Sequence, residues 1–247
     1  MFSDRFFSNN QKETKKVLAL PRAYGETDIG LRRRNNEDSL LIFNAADFPN
    51  KNLHNVYAVT DGVGGCKYGE IAAKFITSSI SKFATRGLYI TRESLKQIDS
   101  SIDMGASTLV LAQQSRENPN DYHIFSVGDS SALIIDTRRG TLEEITRRDE
   151  NAQGLVTQVM GPEAPSVRFN RAHESRVLLK PNQTLVLATD GFTRYIDKKQ
   201  ITVSRILNLR NHSQNESDFV KSLIDECNHL GGVDNITIIS IPHQPQL

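Results

Sequence analysis

The 247-residue sequence is 38% hydrophobic and 24% charged, with a formal net charge of +1 at pH 7. That balance belongs to a folded globular chain and excludes collagen-like and disordered classes, while near-neutrality leaves no electrostatic footprint for nucleic acid or an anionic membrane. Two cysteines, Cys66 and Cys227, cannot build a disulfide framework, no apolar run approaches a membrane span, and the polar start lacks a signal-peptide core, so a cytoplasmic protein is expected.

The first ~15 residues are polar and charged, and residues 1–20 are expected to form an N-terminal tail and entry segment, leaving 21–247 as one domain. Short β-rich runs at 39–43, 56–60, 108–112, 123–127, 132–136, 176–179, 184–188 and 236–241 predict strands. The spacing of Ile71, Ala72, Phe75, Ile76, Ser79, Ile80 and Phe83 predicts a helix over 69–86. Further helices are expected at 91–101 and 216–230, the last stopped by Gly231-Gly232. Gly128-Asp129-Ser130 predicts a tight turn and Pro181-Asn182-Gln183 a hairpin turn. Strands joined by reversals rather than by strict alternation with helices predict an α+β class, with two antiparallel sheets packed face to face and helices outside them.

Four aspartates stand where an apolar strand meets a loop. Asp61 and Asp190 end their strands in Thr-Asp-Gly, whereas Asp38 and Asp234 stand just before theirs. Strand ends hold side chains rigidly, as a catalytic constellation requires. Gathered carboxylates repel one another and raise each other's pKa unless a cation neutralises them. Oxygen donors alone favour Mg²⁺ or Mn²⁺ over zinc. Gly62 would let the backbone approach such an ion closely enough for its carbonyl to serve as a ligand. Each Asp-Gly by itself is equally a common turn signal.

With their flanking residues, these motifs resemble those of the metal-dependent (PPM, type 2C) serine/threonine protein phosphatases, the bacterial branch in particular. The resemblance rests on Gly30-Leu-Arg-Arg-Arg-Asn-Asn-Glu-Asp-Ser39, Val59-Thr-Asp-Gly-Val-Gly-Gly65, Met104-Gly-Ala-Ser-Thr-Leu109, Val127-Gly-Asp-Ser130, Gln158-Val-Met-Gly161, Ala188-Thr-Asp-Gly191 and Asp234-Asn-Ile-Thr-Ile238, in the family's order over roughly residues 24–242. It implies an α/β/β/α sandwich that hydrolyses phosphoserine and phosphothreonine in proteins, using water activated by two Mn²⁺ or Mg²⁺ ions. Asp38, Asp61, the Gly62 carbonyl, Asp190 and Asp234 are implied as the metal set, Asp61 bridging the ions and acting with Asp38 in catalysis. Arg33 is implied as the phosphate-binding arginine, whose fork grips two oxygens where a lysine cannot. Glu37, Asp129 and Asn235 are implied as supporting residues or parts of a weak third site. The implied partners are phosphoproteins and an opposing kinase in a signalling system, with no nucleic acid or membrane, and the chain is expected to be monomeric.

Three positions depart from that pattern. Cys66 stands where bacterial relatives carry a histidine, Ser131 where they carry an arginine, and Arg194 where an aspartate helps hold a third metal. The last departure implies a weak or absent third ion, with Arg194 paired to Asp129. Together the losses motivate an alternative, a catalytically weak or silent phosphatase-fold module for binding or scaffolding. Against it stand Arg33 and all the implied metal positions, none of them lost. The segment 149–171, with its Gly and Pro content, is expected as a loop shaping access to the cleft. No zinc-type histidine spacing, no Gly-Lys-Ser/Thr nucleotide loop and no Cys-x₅-Arg arrangement occurs in the chain.

Overall fold

A computed structural model describes residues 22–49, 52–64, 67–162 and 169–245. The expected tail over 1–20 and the departure at Cys66 lie outside the described residues. Among the described residues ten strands form two five-stranded sheets in which every pairing is antiparallel. One sheet runs β1 (Tyr24–Asp28), β10 (Ile236–Pro242), β9 (Gln183–Ala188), β6 (Ser131–Asp136), β7 (Thr141–Glu144). The other runs β2 (Asp38–Phe43), β3 (Val56–Asp61), β4 (Leu109–Gln114), β5 (Asp121–Val127), β8 (His173–Leu178).

The period-2 geometry of a strand sends successive side chains to opposite faces, and here both faces of the central strands are buried. On β3, Val56 and Ala58 pack outward beneath α1 (Gly69–Thr85) and α2 (Arg92–Ser100), while Tyr57 and Val59 point into the space between the sheets. On β9, Val186 and Ala188 meet α3 (Asp190–Asp197), α4 (Val203–His212) and α5 (Glu216–His229), and Leu185 and Leu187 face the inter-sheet core. Three apolar cores between four layers thus make the α/β/β/α sandwich that the strand pattern and the resemblance implied. Among the described residues no helix is long and apolar enough to cross a membrane.

Some local expectations change. Pro181-Asn182-Gln183 does not close a hairpin, because it carries the chain from β8 in one sheet to β9 in the other. The turn at Gly128–Ser130 likewise crosses from β5 to β6, which places Asp129 at the rim of both sheets. Turn residues fix a reversal but not which edge the next strand joins. Ile71 is exposed on α1, whose buried stripe runs through Ala72, Ala73, Ile76, Ile80 and Ala84. Strands β1 and β7 and helices α3 and α4 were not expected. Both strands are sheet edges with polar sequences, Tyr-Gly-Glu-Thr-Asp and Thr-Leu-Glu-Glu, held by pairing with one neighbour rather than by an apolar run.

Candidate active site

At one end of the sandwich β2 begins, β3 ends, β9 passes into α3 and β10 begins. Asp38 and Asp61 are register partners on adjacent antiparallel strands, so the pairing itself sets them side by side. Asp190 is the first residue of α3, separated from β9 only by the N-cap residue Thr189, and Asp234 lies two residues before β10. Asp129 joins them from the β5–β6 crossing. Arg33, Glu37, Asp61, Asp129, Asp190 and Asp234 line one cleft of about 310 Å³, which Gly62, Arg194 and Asn235 also border. Asp38 is buried just behind it, with 4% of its surface exposed.

Close backbone packing makes this convergence possible. A Cβ on Gly62 would lie 2.5 Å from the Gly69 carbonyl carbon and 2.8 Å from the Glu37 oxygen, whose carbonyl accepts the Gly62 N–H at 3.1 Å. A Cβ on Gly191 would fall 1.8 Å from the Asn235 carbonyl oxygen. Both Thr-Asp-Gly glycines are therefore fixed by sterics, and each seats the aspartate before it against another segment.

The carboxylates sit in a costly environment. Burial pushes Asp38 up to about 7, and the Asp190 and Asp234 charges add to this. Hydrogen bonds donated to Asp38 Oδ2 by Thr237 Oγ1 at 2.6 Å and Thr189 Oγ1 at 3.0 Å oppose the rise. Asp61 is held well above the usual carboxylate range by desolvation and by four neighbouring aspartates, Asp38 first. Asp129 is pushed to about 7 by burial and the Asp190 charge, and Asp190 is raised by burial. Asp38 Oδ1 and Asp190 Oδ1 are buried and have no hydrogen-bond partner.

Two guanidiniums stand among these anions. Arg33 Nη2 lies 2.8 Å from Asp234 Oδ1, and Arg194 forms a close pair with Asp190 Oδ2 while lying 3.9 Å from Asp129 Oδ2 and 3.8 Å from Asp234 Oδ2. Asp190, rather than Asp129, is thus the tighter partner of Arg194. In this arrangement no three Asp, Glu, His or Cys side chains among the described residues close on one point as a metal-holding group. The cleft nevertheless suits a hard cation, with all-oxygen donors, mutually repelling carboxylates and two buried oxygens lacking a proton donor.

Hydrogen bonding shows how the surroundings hold this set. Asn235, 5% exposed, accepts the Glu37 N–H at 2.9 Å and donates Nδ2 to the Ile29 and Asn35 carbonyls, both at 3.0 Å. It ties down the loop that carries Arg33. Thr189 and Thr237 had not been singled out as site residues, although each lies one or two residues from a motif aspartate or asparagine. Asp149 was also missed. Its carboxylate accepts the Gly128 N–H at 3.0 Å and Gln158 Nε2 at 2.7 Å, and lies 2.6 Å from His173 Nε2. Gln158 Oε1 in turn accepts the Asn170 and Arg171 N–H groups. One carboxylate so joins the Asp129 turn, the access loop and β8, a link between distant segments with no local sequence signal.

No protein-family model matches the chain. In sequence it is similar to a phosphatase 2C-type protein of Streptococcus pyogenes, 24% identical over 90% of this chain and 97% of that one. It is equally similar to the serine/threonine phosphatase stp of Listeria welshimeri, 24% identical over 87% and 93%. In structure it matches a variant of a bacterial serine phosphatase at 25% identity with a TM-score of 0.72, covering 92% of this chain and 99% of that one. The catalytic domain of the phosphatase PstP, solved with two manganese ions, shares the fold at 18% identity and a TM-score of 0.65, covering 90% and 97%.

Proposed function

Starting from a chain whose relatives are bacterial type 2C serine/threonine phosphatases, we propose that it hydrolyses phosphoserine and phosphothreonine in cytoplasmic proteins, with two divalent ions, Mn²⁺ or Mg²⁺. The observation that carries this reading is the meeting of Asp38, Asp61, Asp129, Asp190 and Asp234 from separate segments at one end of the sandwich, two of them with buried, unpartnered oxygens. Asp38, Asp61, the Gly62 carbonyl, Asp190 and Asp234 would hold the ions. Bound divalent ions supply activated water at neutral pH and positive charge to offset the phosphoryl group.

The chain's own residues do the rest. Thr189 and Thr237 lock one Asp38 oxygen and leave the other directed away from a protein donor. Arg33, two-fifths exposed at the cleft mouth, can leave Asp234 and grip two phosphoryl oxygens in a planar fork. Asn235 keeps the Arg33 loop in place, and positioning and electrostatics carry most of phosphoryl transfer. Thr108, the hydroxyl-bearing side chain on the described lining, is engaged with Ser130 Oγ at 2.7 Å and with the Asp61 N–H, which favours attack by water over a phosphothreonyl intermediate. The expected opposing kinase and monomeric state belong to this reading as well.

The test is release of phosphate from a phosphothreonine peptide and from p-nitrophenyl phosphate, in EDTA and then in Mn²⁺ or Mg²⁺. Activity should require the ion, and Asp190→Ala should lower it by more than about a hundredfold. A folded protein inactive with every ion would sink the proposal in favour of a binding module.

A further inference from the structure

Arg194 stands where it can act on the cluster as a whole. Helix α3 begins at Asp190, so a residue four positions later lies on the same face, one turn on. The guanidinium thereby pairs with Asp190 and comes within 4 Å of Asp129 and Asp234, three carboxylates drawn from three different segments. Its charge cannot be titrated away at any working pH. Its side chain is 46% exposed, so a guanidinium displaced from these carboxylates would have solvent beside it. Beside it, Asp190 Oδ1 is buried with no partner. An ion taking that oxygen would sit next to the guanidinium or displace it, and like charges at such separations repel strongly where water is scarce.

We propose that Arg194 is a resident cation that competes with divalent ions for Asp190 and Asp234, stabilising the ion-free cluster and weakening metal binding at the principal site. This rests on the metal-dependent reading of the cleft and adds a consequence for it. The protein would hold its ions loosely and respond to changes in their concentration, while the cluster would remain folded when ions are scarce.

The experiment is calorimetric titration of Mn²⁺ into wild-type, Arg194→Met and Arg194→Lys proteins without substrate, together with thermal unfolding of each in EDTA. Removing the charge while keeping the stem should tighten Mn²⁺ binding about tenfold and lower the unfolding temperature in EDTA, whereas the lysine variant should stay close to wild type. Circular dichroism in EDTA confirms that each variant is folded. Mn²⁺ bound with the same affinity whatever occupies position 194, or an unchanged unfolding temperature for Arg194→Met in EDTA, would overturn the inference alone. No Mn²⁺ binding by any of the three folded proteins would overturn the metal reading beneath it.

Discussion

Asn235 offers the sharpest test of how the Arg33 loop is held. Replacing it with alanine removes three hydrogen bonds, those to the Glu37 N–H and to the Ile29 and Asn35 carbonyls, at a position 5% exposed. At about 1 kcal/mol net for each bond, the loss is about 3 kcal/mol, or roughly 6–12 °C in melting temperature for a chain of this size. Asn235→Asp separates hydrogen bonding from shape. It keeps the acceptor for Glu37 but turns an anion towards two carbonyl oxygens, with Asp234 adjacent in sequence. Its folded pKa must then lie above the ordinary carboxylate value. The sign follows, because a raised folded pKa penalises the folded state at pH above it, and the penalty fades as pH falls towards about 4, where the unfolded chain also binds the proton. Asn235→Asp should therefore be at least as destabilising as Asn235→Ala at pH 7.5 and should recover part of the loss at pH 5, measured by urea unfolding and referred to wild type at each pH. An aspartate variant as stable as wild type at pH 7.5 would refute the reasoning.

Elsewhere, His54 is 2% exposed and stacks on Tyr89, with burial pulling its pKa down to about 4, aided by the Arg116 charge. A depressed histidine pKa adds stability that is complete above about 6.5 and lost as pH falls towards 4, at most about 3 kcal/mol. His54→Phe should keep the stack and flatten the difference in unfolding free energy across that window; an unchanged slope would count against it. Asp149→Ala should cost about 2–4 kcal/mol by untying Gly128, Gln158 and His173. Limited proteolysis should then cut within the described part of the access loop, 150–162, before the rest of the chain, and a digestion pattern identical to wild type would disprove the tie.

Much of this protein is determined locally. Strands such as Leu109–Gln114 and Ile236–Pro242 are legible because both of their faces are buried, which demands continuous apolar or β-branched residues. Asp38, Asp61, Asp190 and Asp234 are legible because a charged residue against an apolar run marks where a strand leaves the core. The glycines after Asp61 and Asp190 follow from contacts too close for a Cβ. Edge strands β1 and β7 were not legible because their sequences, Tyr-Gly-Glu-Thr-Asp and Thr-Leu-Glu-Glu, carry no apolar run and no residue of either is fully buried, whereas the edge strand β2 keeps the apolar run Leu-Leu-Ile-Phe. Nor was the sheet that each reversal joins, because Gly128-Asp129 and Pro181-Asn182 bend the chain identically whether the next strand pairs with the last or crosses to the opposite layer. Partnerships between distant segments were decided only in three dimensions. Asn235 with the Arg33 loop, Asp149 with Gln158 and His173, and Asp38 with Thr189 and Thr237 link residues whose separation in sequence carries no signal. Asp190, rather than Asp129, as the tighter partner of Arg194 follows from one turn of helix α3, an element whose start at Asp190 is imposed by β9 ending against β10.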